Sequence, residues 1–178
     1  MTEPDPDLAA PPVMVHDIDP AAFLVAHYQE LWEQGELEMA EINPALAIEA
    51  VGFIRYQGDW LGVVVTPWFL RLFLMPGGGS LWGEIPVGQT RYLSLPAETM
   101  QFIADAAPQF GSFQYATLLE PTSLIADMAA ARQMALRVMQ GFGDQPVEPE
   151  PEPDRPAEPP GPTAISRRGF FRRLAGKR

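Results

Sequence analysis

The chain has 178 residues, and its 23 acidic and 12 basic residues give a net charge of −11 at pH 7. This negative charge argues against nucleic acid as a partner, because phosphate binding needs a basic face. The absence of cysteine excludes disulfides and thiolate chemistry, and the lack of a long apolar run or a signal-like N-terminus predicts a cytoplasmic protein.

Composition divides the chain into four regions. Residues 1–18 are rich in Pro and Asp and predict a flexible N-terminus, whereas residues 19–141 have the composition of one globular domain. In residues 142–165, eight prolines alternate with acidic residues, which favours an extended linker. Residues 166–178 form a basic tail with six basic residues and no acidic one, and we expect this tail to be disordered.

The first predicted element is a helix that begins at Asp19 and Pro20 and ends near Gln34, with Gly35 as its C-terminal signal. Its predicted inward stripe consists of Phe23, Leu24, His27, Tyr28 and Leu31. Its outer face and the segment that follows carry Glu33, Glu36, Glu38 and Glu41. These glutamates either form a solvated face or bind a basic segment of a partner.

The stretch from Asn43 to Pro76 is predicted to be the centre of the fold, because β-branched and aromatic residues cluster there in short runs separated by turn residues. Gln57-Gly58-Asp59 predicts a tight hairpin turn. Thr66-Pro67 ends the second strand, since proline cannot donate to a central ladder, so the chain leaves the sheet there or lies at its edge. The three predicted strands are Ile48–Tyr56, Trp60–Val65 and Trp68–Met75.

The third predicted strand is apolar on both faces. Either both faces of the sheet are covered, or one face is a surface for a partner. A buried strand is the interpretation for most of these residues. For Trp68 and Phe69, beside the proline, we instead predict exposure and a role as aromatic anchors for another polypeptide.

The rest of the domain is predicted to add strands and one helix. The strands are Thr90–Leu95, Thr99–Ala104 and Ser112–Leu118. Pro121 opens a helix over Ser123–Gln140 that Gly141 stops, with an inward stripe of Leu124, Met128, Ala131, Ala135 and Val138. The predicted fold class is α+β: a single domain whose mostly antiparallel sheet of five or six strands is flanked by an N-terminal and a C-terminal helix.

The sequence offers little for catalysis. His27 and Glu30 are one helical turn apart and could bind a metal, but without a second set of ligands the pair is interpreted as helix surface. The loop Gly77-Gly78-Gly79-Ser80 is too short, and lacks the lysine, for a phosphate cradle. No nucleophile elbow or dinucleotide motif occurs either, so we predict neither an enzyme nor a cofactor.

Several motifs of the central stretch occur together: Asn43-Pro44-Ala45-Leu46, Glu49 to Phe53, Trp60 to Phe69, and Leu72 to Pro76. With Gly88, the segment from Gly111 to Leu118 and the last helix, these motifs resemble the HybE family of nickel-iron hydrogenase assembly chaperones. The resemblance covers about residues 20–140, and Thr66-Pro67-Trp68-Phe69 is its specific block.

The resemblance implies an accessory protein that holds a small or large hydrogenase subunit during maturation and is linked to twin-arginine export of the small subunit. Some family members carry a fused rubredoxin-like module, which this cysteine-free chain lacks. The residues predicted to bind the partner, or its twin-arginine signal, are Trp60, Pro67, Trp68, Phe69, Glu33, Glu36, Glu38 and Glu41.

The tail contains Ser166-Arg167-Arg168-Gly169-Phe170-Phe171, which resembles a twin-arginine export motif. It lies at the C-terminal end with no apolar segment after it, so it cannot act as an export signal. Three interpretations remain: contact with anionic lipid, occupancy of the site that binds the client's own signal, or chance composition. The alternative to a hydrogenase chaperone is therefore a membrane-peripheral adaptor that acts through its tail.

Overall fold

The computed structural model describes residues 13–35 and 41–143. These residues form, in order, α1 (Ala21–Gln34), β1 (Glu49–Tyr56), β2 (Asp59–Val65), β3 (Leu70–Met75), β4 (Thr90–Ser94), β5 (Thr99–Ala107), β6 (Gly111–Leu119) and α2 (Met128–Gly143). The predicted α+β class with an antiparallel sheet is confirmed. Residues 142 and 143 of the predicted linker belong to α2, and Phe142 is buried. The rest of the linker and the tail lie outside the described residues, so those boundaries stay predictions.

The six strands form one sheet in the order β1-β2-β3-β6-β5-β4, and every neighbouring pair is antiparallel. The predicted hairpin joins β1 to β2, where Gln57 has φ 51° and Gly58 has φ 84°. Positive φ at both central residues is what a type I′ turn requires, and glycine adopts it without steric strain. The strand order divides the sheet into two three-stranded meanders, β1 to β3 and β4 to β6, which are joined where β3 pairs with β6.

Both faces of the sheet are buried, as the alternate residues of β3 show. Leu72 and Leu74 belong to the core that α2 covers, whereas Phe73 and Met75 belong to the core that α1 covers. Successive side chains of a strand point to opposite faces, so the two helices lie on opposite sides of the sheet. The interpretation as a strand covered on both faces is confirmed for Leu70–Met75, whereas the predicted start at Trp68 is two residues too early.

Helix α1 ends at Gln34 as predicted, but it begins at Ala21, so Pro20 is the N-cap residue rather than the first helical residue. The Oδ1 atom of Asp19 accepts a hydrogen bond from the N–H of Ala21 at 2.9 Å, and Gly35 ends the helix with φ 68°. Phe23, which we expected in the inward stripe, is instead 44% exposed. The fully buried residues of α1 are Leu24 and Tyr28.

Helix α2 runs from Met128 to Gly143, so the predicted start at Ser123 and the predicted stop at Gly141 are both wrong. The Oδ1 atom of Asp127 accepts a hydrogen bond from the N–H of Ala130 at 2.8 Å and caps the helix at this later position. Leu124 therefore precedes the helix and is 91% exposed rather than inward. The buried residues of α2 are Ala131, Ala135, Met139 and Phe142. Neither α1 nor α2, the helices of the described residues, is long and apolar enough to span a bilayer.

Candidate functional site

A tight turn between β2 and β3 holds the Thr66-Pro67-Trp68-Phe69 block. The N–H of Thr66 donates to the carbonyl of Phe69 at 2.9 Å, and Thr66 Oγ1 accepts the N–H of Phe69 at 2.9 Å. The same hydroxyl donates to the carbonyl of Phe69 at 3.0 Å. Pro67 is tolerated because the turn uses no N–H at that position. The strands that it joins are inner strands, so this proline marks a turn and not an edge of the sheet.

The predicted exposure of Trp68 and Phe69 is wrong, because each is only 1% exposed. Aromatic side chains of α1 cover both. The Tyr28 ring meets Phe69 edge-on with ring centroids 5.1 Å apart, and the Trp32 ring lies parallel to Trp68 at 5.3 Å. The block is therefore part of the core, and it does not itself form a docking surface.

Trp32 provides the exposed aromatic surface instead, since 44% of it is accessible to solvent. It borders a groove of about 520 Å³ between α1 and the segment that precedes β1. The apolar lining comprises Trp32, Ile42, Pro44, Leu46, Ile48 and Pro67, and α1 adds Gln29 and Glu33. We call it the Trp32 groove. A concave, mostly apolar surface with a few polar groups is the common form of a binding site.

Asn43 fixes the wall of the groove that residues 41–48 form. Its Nδ2 atom donates to the carbonyls of Thr122 and Ile125, both at 2.8 Å, and its N–H donates to the carbonyl of Pro67 at 2.7 Å. Thr122 Oγ1 also donates to Pro67 O at 2.7 Å. These bonds tie the wall to the β2–β3 turn. They also hold the chain before α2 out of a helix, which explains why α2 begins late.

The rim of the Trp32 groove is acidic. Glu33 lines the groove, Glu41 is exposed just before Ile42, and no lining residue is basic. Arg132 on α2 is already engaged by Glu49 through two hydrogen bonds of 2.7 Å. Those bonds to the guanidinium hold the pKa of Glu49 below its usual value. The groove therefore presents negative charge that its own lining does not balance.

Trp60, which the sequence predicts to bind a partner, instead anchors the N-terminal arm. Its Nε1–H donates to the carbonyl of His16 at 2.8 Å, and the guanidinium of Arg55 lies 4.9 Å from its ring centroid. The remaining predicted site residues, Glu36, Glu38 and the tail motif Ser166, Arg167, Arg168, Phe170 and Phe171, lie outside the described residues.

His27 is packed among aromatic rings. It meets Phe110 edge-on with ring centroids 5.5 Å apart, and burial lowers its pKa. Within residues 13–35 and 41–143, no three or more His, Asp or Glu side chains are grouped so that they could hold a metal ion.

Trp32 is the functional candidate that the sequence reasoning missed. It lies four residues after Tyr28 and eight after Leu24, so it continues the buried stripe of α1. A stripe extended by one more turn would have included it. The groove, however, also needs the 41–48 segment to pack beside α1, and no local pattern signals such a contact.

A solved structure with a similar fold is the solution structure of HybE from Escherichia coli, with a TM-score of 0.59, 22% identity, and coverage of 88% of this chain and 98% of that one. Identity this low shows a shared fold only. The family model described as "[NiFe]-hydrogenase assembly, chaperone, HybE" matches residues 19–173. This chain belongs to the HybE family. The model describes this family as chaperones of nickel-iron hydrogenase assembly, and the match confirms the resemblance found in the sequence.

Two further relatives agree with membership of the HybE family. The hydrogenase expression/formation protein HupJ of Bradyrhizobium diazoefficiens is 33% identical over 149 residues, which cover 84% of this chain and 85% of that protein. The probable rubredoxin HupJ of Rhodobacter capsulatus is 32% identical over 116 residues, 65% of this chain. The chain spans only 42% of the length of that second relative.

Proposed function

We propose that this protein holds a nickel-iron hydrogenase subunit while the hydrogenase is assembled, and that the subunit docks in the Trp32 groove. The observation that carries the proposal is the half-exposed ring of Trp32, one face of which is held flat against buried Trp68. The stack restrains the ring before the partner arrives, so less conformational entropy is lost on binding. Rigid aromatic anchors beside apolar pockets carry much of the affinity of protein interfaces.

The groove combines an apolar contribution with an electrostatic one. Covering the ring of Trp32 and the exposed side chain of Ile42 removes apolar surface from water, and one such aromatic anchor contributes about 2 kcal/mol or more. The carboxylates of Glu33 and Glu41 attract a basic segment and raise the rate of encounter more than the final affinity. The preferred client segment therefore carries both apolar and basic side chains.

A twin-arginine signal has this chemistry, so we propose that the bound subunit presents one. Two adjacent arginines offer forked donors that carboxylates bind through paired hydrogen bonds. Glu33 and Glu41 are exposed beside the groove, and Glu36 and Glu38 lie in the segment between them along the chain. A chaperone that holds the signal until assembly is complete acts before export, which would place this protein in the cytoplasm.

Co-purification tests the proposal. Full-length tagged protein, isolated from cells that make a nickel-iron hydrogenase, is expected to retain a hydrogenase subunit. The double variant Glu33→Lys/Glu41→Lys is expected to retain less of it. A matched control is Glu84→Lys/Glu98→Lys, which changes the net charge equally at two exposed glutamates that do not line the groove.

The two parts of the proposal can fail separately. If the wild-type protein retains no hydrogenase subunit, the chaperone function proposed for this chain is rejected. If both double variants lose the subunit to the same degree, overall charge decides binding, and the Trp32 groove is rejected as the docking site.

A further inference from the structure

We propose that the basic tail of this chain, residues 166–178, occupies the Trp32 groove in the free protein and is displaced when the client docks. The inference rests on the proposed function, because it gives the client's groove a second, intramolecular occupant. The inference is drawn from the opposite charges of the tail and the groove, the apolar residues of the tail and the length of the linker between them.

The charge of the chain is divided between two parts that attract each other. Residues 1–141 hold 17 acidic and five basic residues, whereas the tail holds six basic residues and no acidic one. Glu33 lines the groove, the exposed Glu41 directly precedes the lining residue Ile42 in sequence, and no lining residue is basic. Arg167 and Arg168 are adjacent, so the tail offers the groove the same pair of forked donors that a twin-arginine client offers.

The apolar residues of the tail also match the groove. Phe170 and Phe171 follow the arginine pair after a single glycine. The groove, at about 520 Å³, is within the size range of sites that hold a small ligand, so it has room for an aromatic side chain next to Trp32. An aromatic ring beside a pair of basic groups suits an apolar groove with an acidic rim.

The intervening chain is long enough for the tail to reach the groove. Phe142, near the end of α2, contacts Tyr56 with ring centroids 5.2 Å apart, so the tether starts from the β1–β2 turn, at the opposite end of β2 from Pro67. The seven residues of β2 span about 23 Å. A fully extended segment of 22 residues, 144–165, spans about 70 Å. The tether therefore covers this distance with slack, and effective concentrations on the order of millimolar follow for the tail.

The match to the family model extends into the tail. It covers residues 19–173 and so includes the arginine pair and both phenylalanines.

An anionic membrane is the other surface that a basic, aromatic tail suits. The charge of the rest of the chain favours the groove, because the balance of −12 over residues 1–141 repels anionic lipid. The same negative charge attracts the tail to the acidic rim. We therefore assign the tail to the groove and leave vesicle binding as an outcome of the test.

The indole N–H signals of the four tryptophans in nitrogen-15 NMR spectra of the full chain provide that test. We expect Arg167→Glu/Arg168→Glu to shift the Trp32 signal, assigned with Trp32→Phe, and to leave the Trp60 signal unchanged, because the Trp60 N–H is bonded to His16. The control Arg137→Glu/Arg155→Glu changes the net charge equally outside the tail and is expected to leave the Trp32 signal unchanged.

A competition measurement adds a second readout. We expect a synthetic twin-arginine signal peptide to bind Arg167→Glu/Arg168→Glu about threefold to tenfold more tightly than the wild type, because a tail at millimolar effective concentration no longer competes. An identical Trp32 signal in the wild type and the tail variant overturns the inference. The same holds if the wild-type tail binds phosphatidylserine vesicles while the Trp32 signal does not depend on the tail.

The two proposals give different results when they fail. If the Trp32 signal changes in the tail variant but the protein retains no hydrogenase subunit, the proposed function is rejected. The inference that the tail occupies the groove then still stands. If the subunit is retained through the groove but the Trp32 signal does not change in the tail variant, only the inference that the tail occupies the groove is rejected.

Discussion

The indole rings of Trp32 and Trp68 lie nearly parallel, with ring centroids 5.3 Å apart and an interplanar angle of 12°. Trp32 is 44% exposed, whereas Trp68 is 1% exposed. The Nε1 atom of Trp68 is buried and has no hydrogen-bond partner within the described part of the chain, so this ring contributes packing and stacking. One ring therefore supports the fold, and the other presents an aromatic surface to a partner.

Trp68→Ala is expected to destabilise the fold. Truncating a fully buried aromatic ring costs about 3–5 kcal/mol of the free energy of unfolding, because a cavity remains. Urea denaturation measures the effect, and Trp32→Ala should lower the midpoint much less because its ring is half-exposed. A Trp68→Ala protein with the wild-type midpoint would show that the ring is not part of the core.

Asn43→Ala is expected to weaken both the fold and the groove. It removes two donors to the buried carbonyls of Thr122 and Ile125, and each unsatisfied group costs about 1–3 kcal/mol. The denaturation midpoint and the affinity for the client should both fall. Gln109→Ala is the control, because that exposed side-chain amide donates to the exposed carboxylate of Glu30, at 3.3 Å, and not to a buried carbonyl. Equal midpoints for the two variants would contradict the role of Asn43.

Asp59→Asn is expected to loosen the glycine loop after β3. The buried carboxylate accepts three backbone N–H groups, from Gly77 at 2.8 Å, Gly79 at 3.0 Å and Trp82 at 2.7 Å. The amide of asparagine has one acceptor oxygen, so its NH₂ group must face at least one of these three backbone N–H donors. The expected loss is about 1–3 kcal/mol of unfolding free energy. Hydrogen exchange of these three amides should speed up, whereas the exposed control Asp17→Asn should leave their rates unchanged.

Stability is expected to fall in mild acid. Burial lowers the pKa of His16 and of His27 from 6.5. The hydrogen bond to the Phe110 carbonyl opposes the shift at His16. The charges of Asp105 and Glu30 oppose the shift at His27. Between the lowered folded pKa and the unfolded pKa, the unfolded state binds more protons, so the free energy of unfolding drops as pH falls through about 6.5.

Urea midpoints at pH 7.5 and pH 5.5 measure this loss. We expect a lower midpoint at pH 5.5, and a smaller drop in His27→Gln than in the wild type. A drop of the same size in both proteins would mean that His27 does not titrate differently on unfolding.

Local pattern was enough to predict most of the elements. The runs of β-branched and aromatic residues in β1 to β3, the positive-φ turn at Gln57-Gly58 and the glycine end of α1 depend on residues close in sequence. Each was predicted, although β3 begins two residues later than expected. The start of α2 was not, because the side chain of Asn43 fixes it from a distant part of the chain. Pro67 predicted that the chain either leaves the sheet or lies at its edge, and the structure shows the first alternative, a turn between two inner strands.

Of the residues predicted to bind a partner, Glu33 and Pro67 line the proposed groove, whereas the predicted aromatic anchors Trp68 and Phe69 are buried. The Thr66 to Phe69 block does lie beside the groove, and Glu33 does line it. Exposure, however, is a property of the packed molecule, and the run Trp68-Phe69 gives no indication that α1 covers it. Trp32 looked like an ordinary helix residue because its value as an anchor depends on the buried ring beneath it.

The affinity of the purified protein for a nickel-iron hydrogenase subunit, compared between Trp32→Ala and Phe23→Ala, tests the central claim most directly. Both side chains lie on α1 and are 44% exposed, but only Trp32 lines the groove. We expect Trp32→Ala to raise the Kd about 30-fold, which corresponds to about 2 kcal/mol, and Phe23→Ala to leave it nearly unchanged. Equal Kd values for the two variants would contradict the assignment of Trp32 as the anchor.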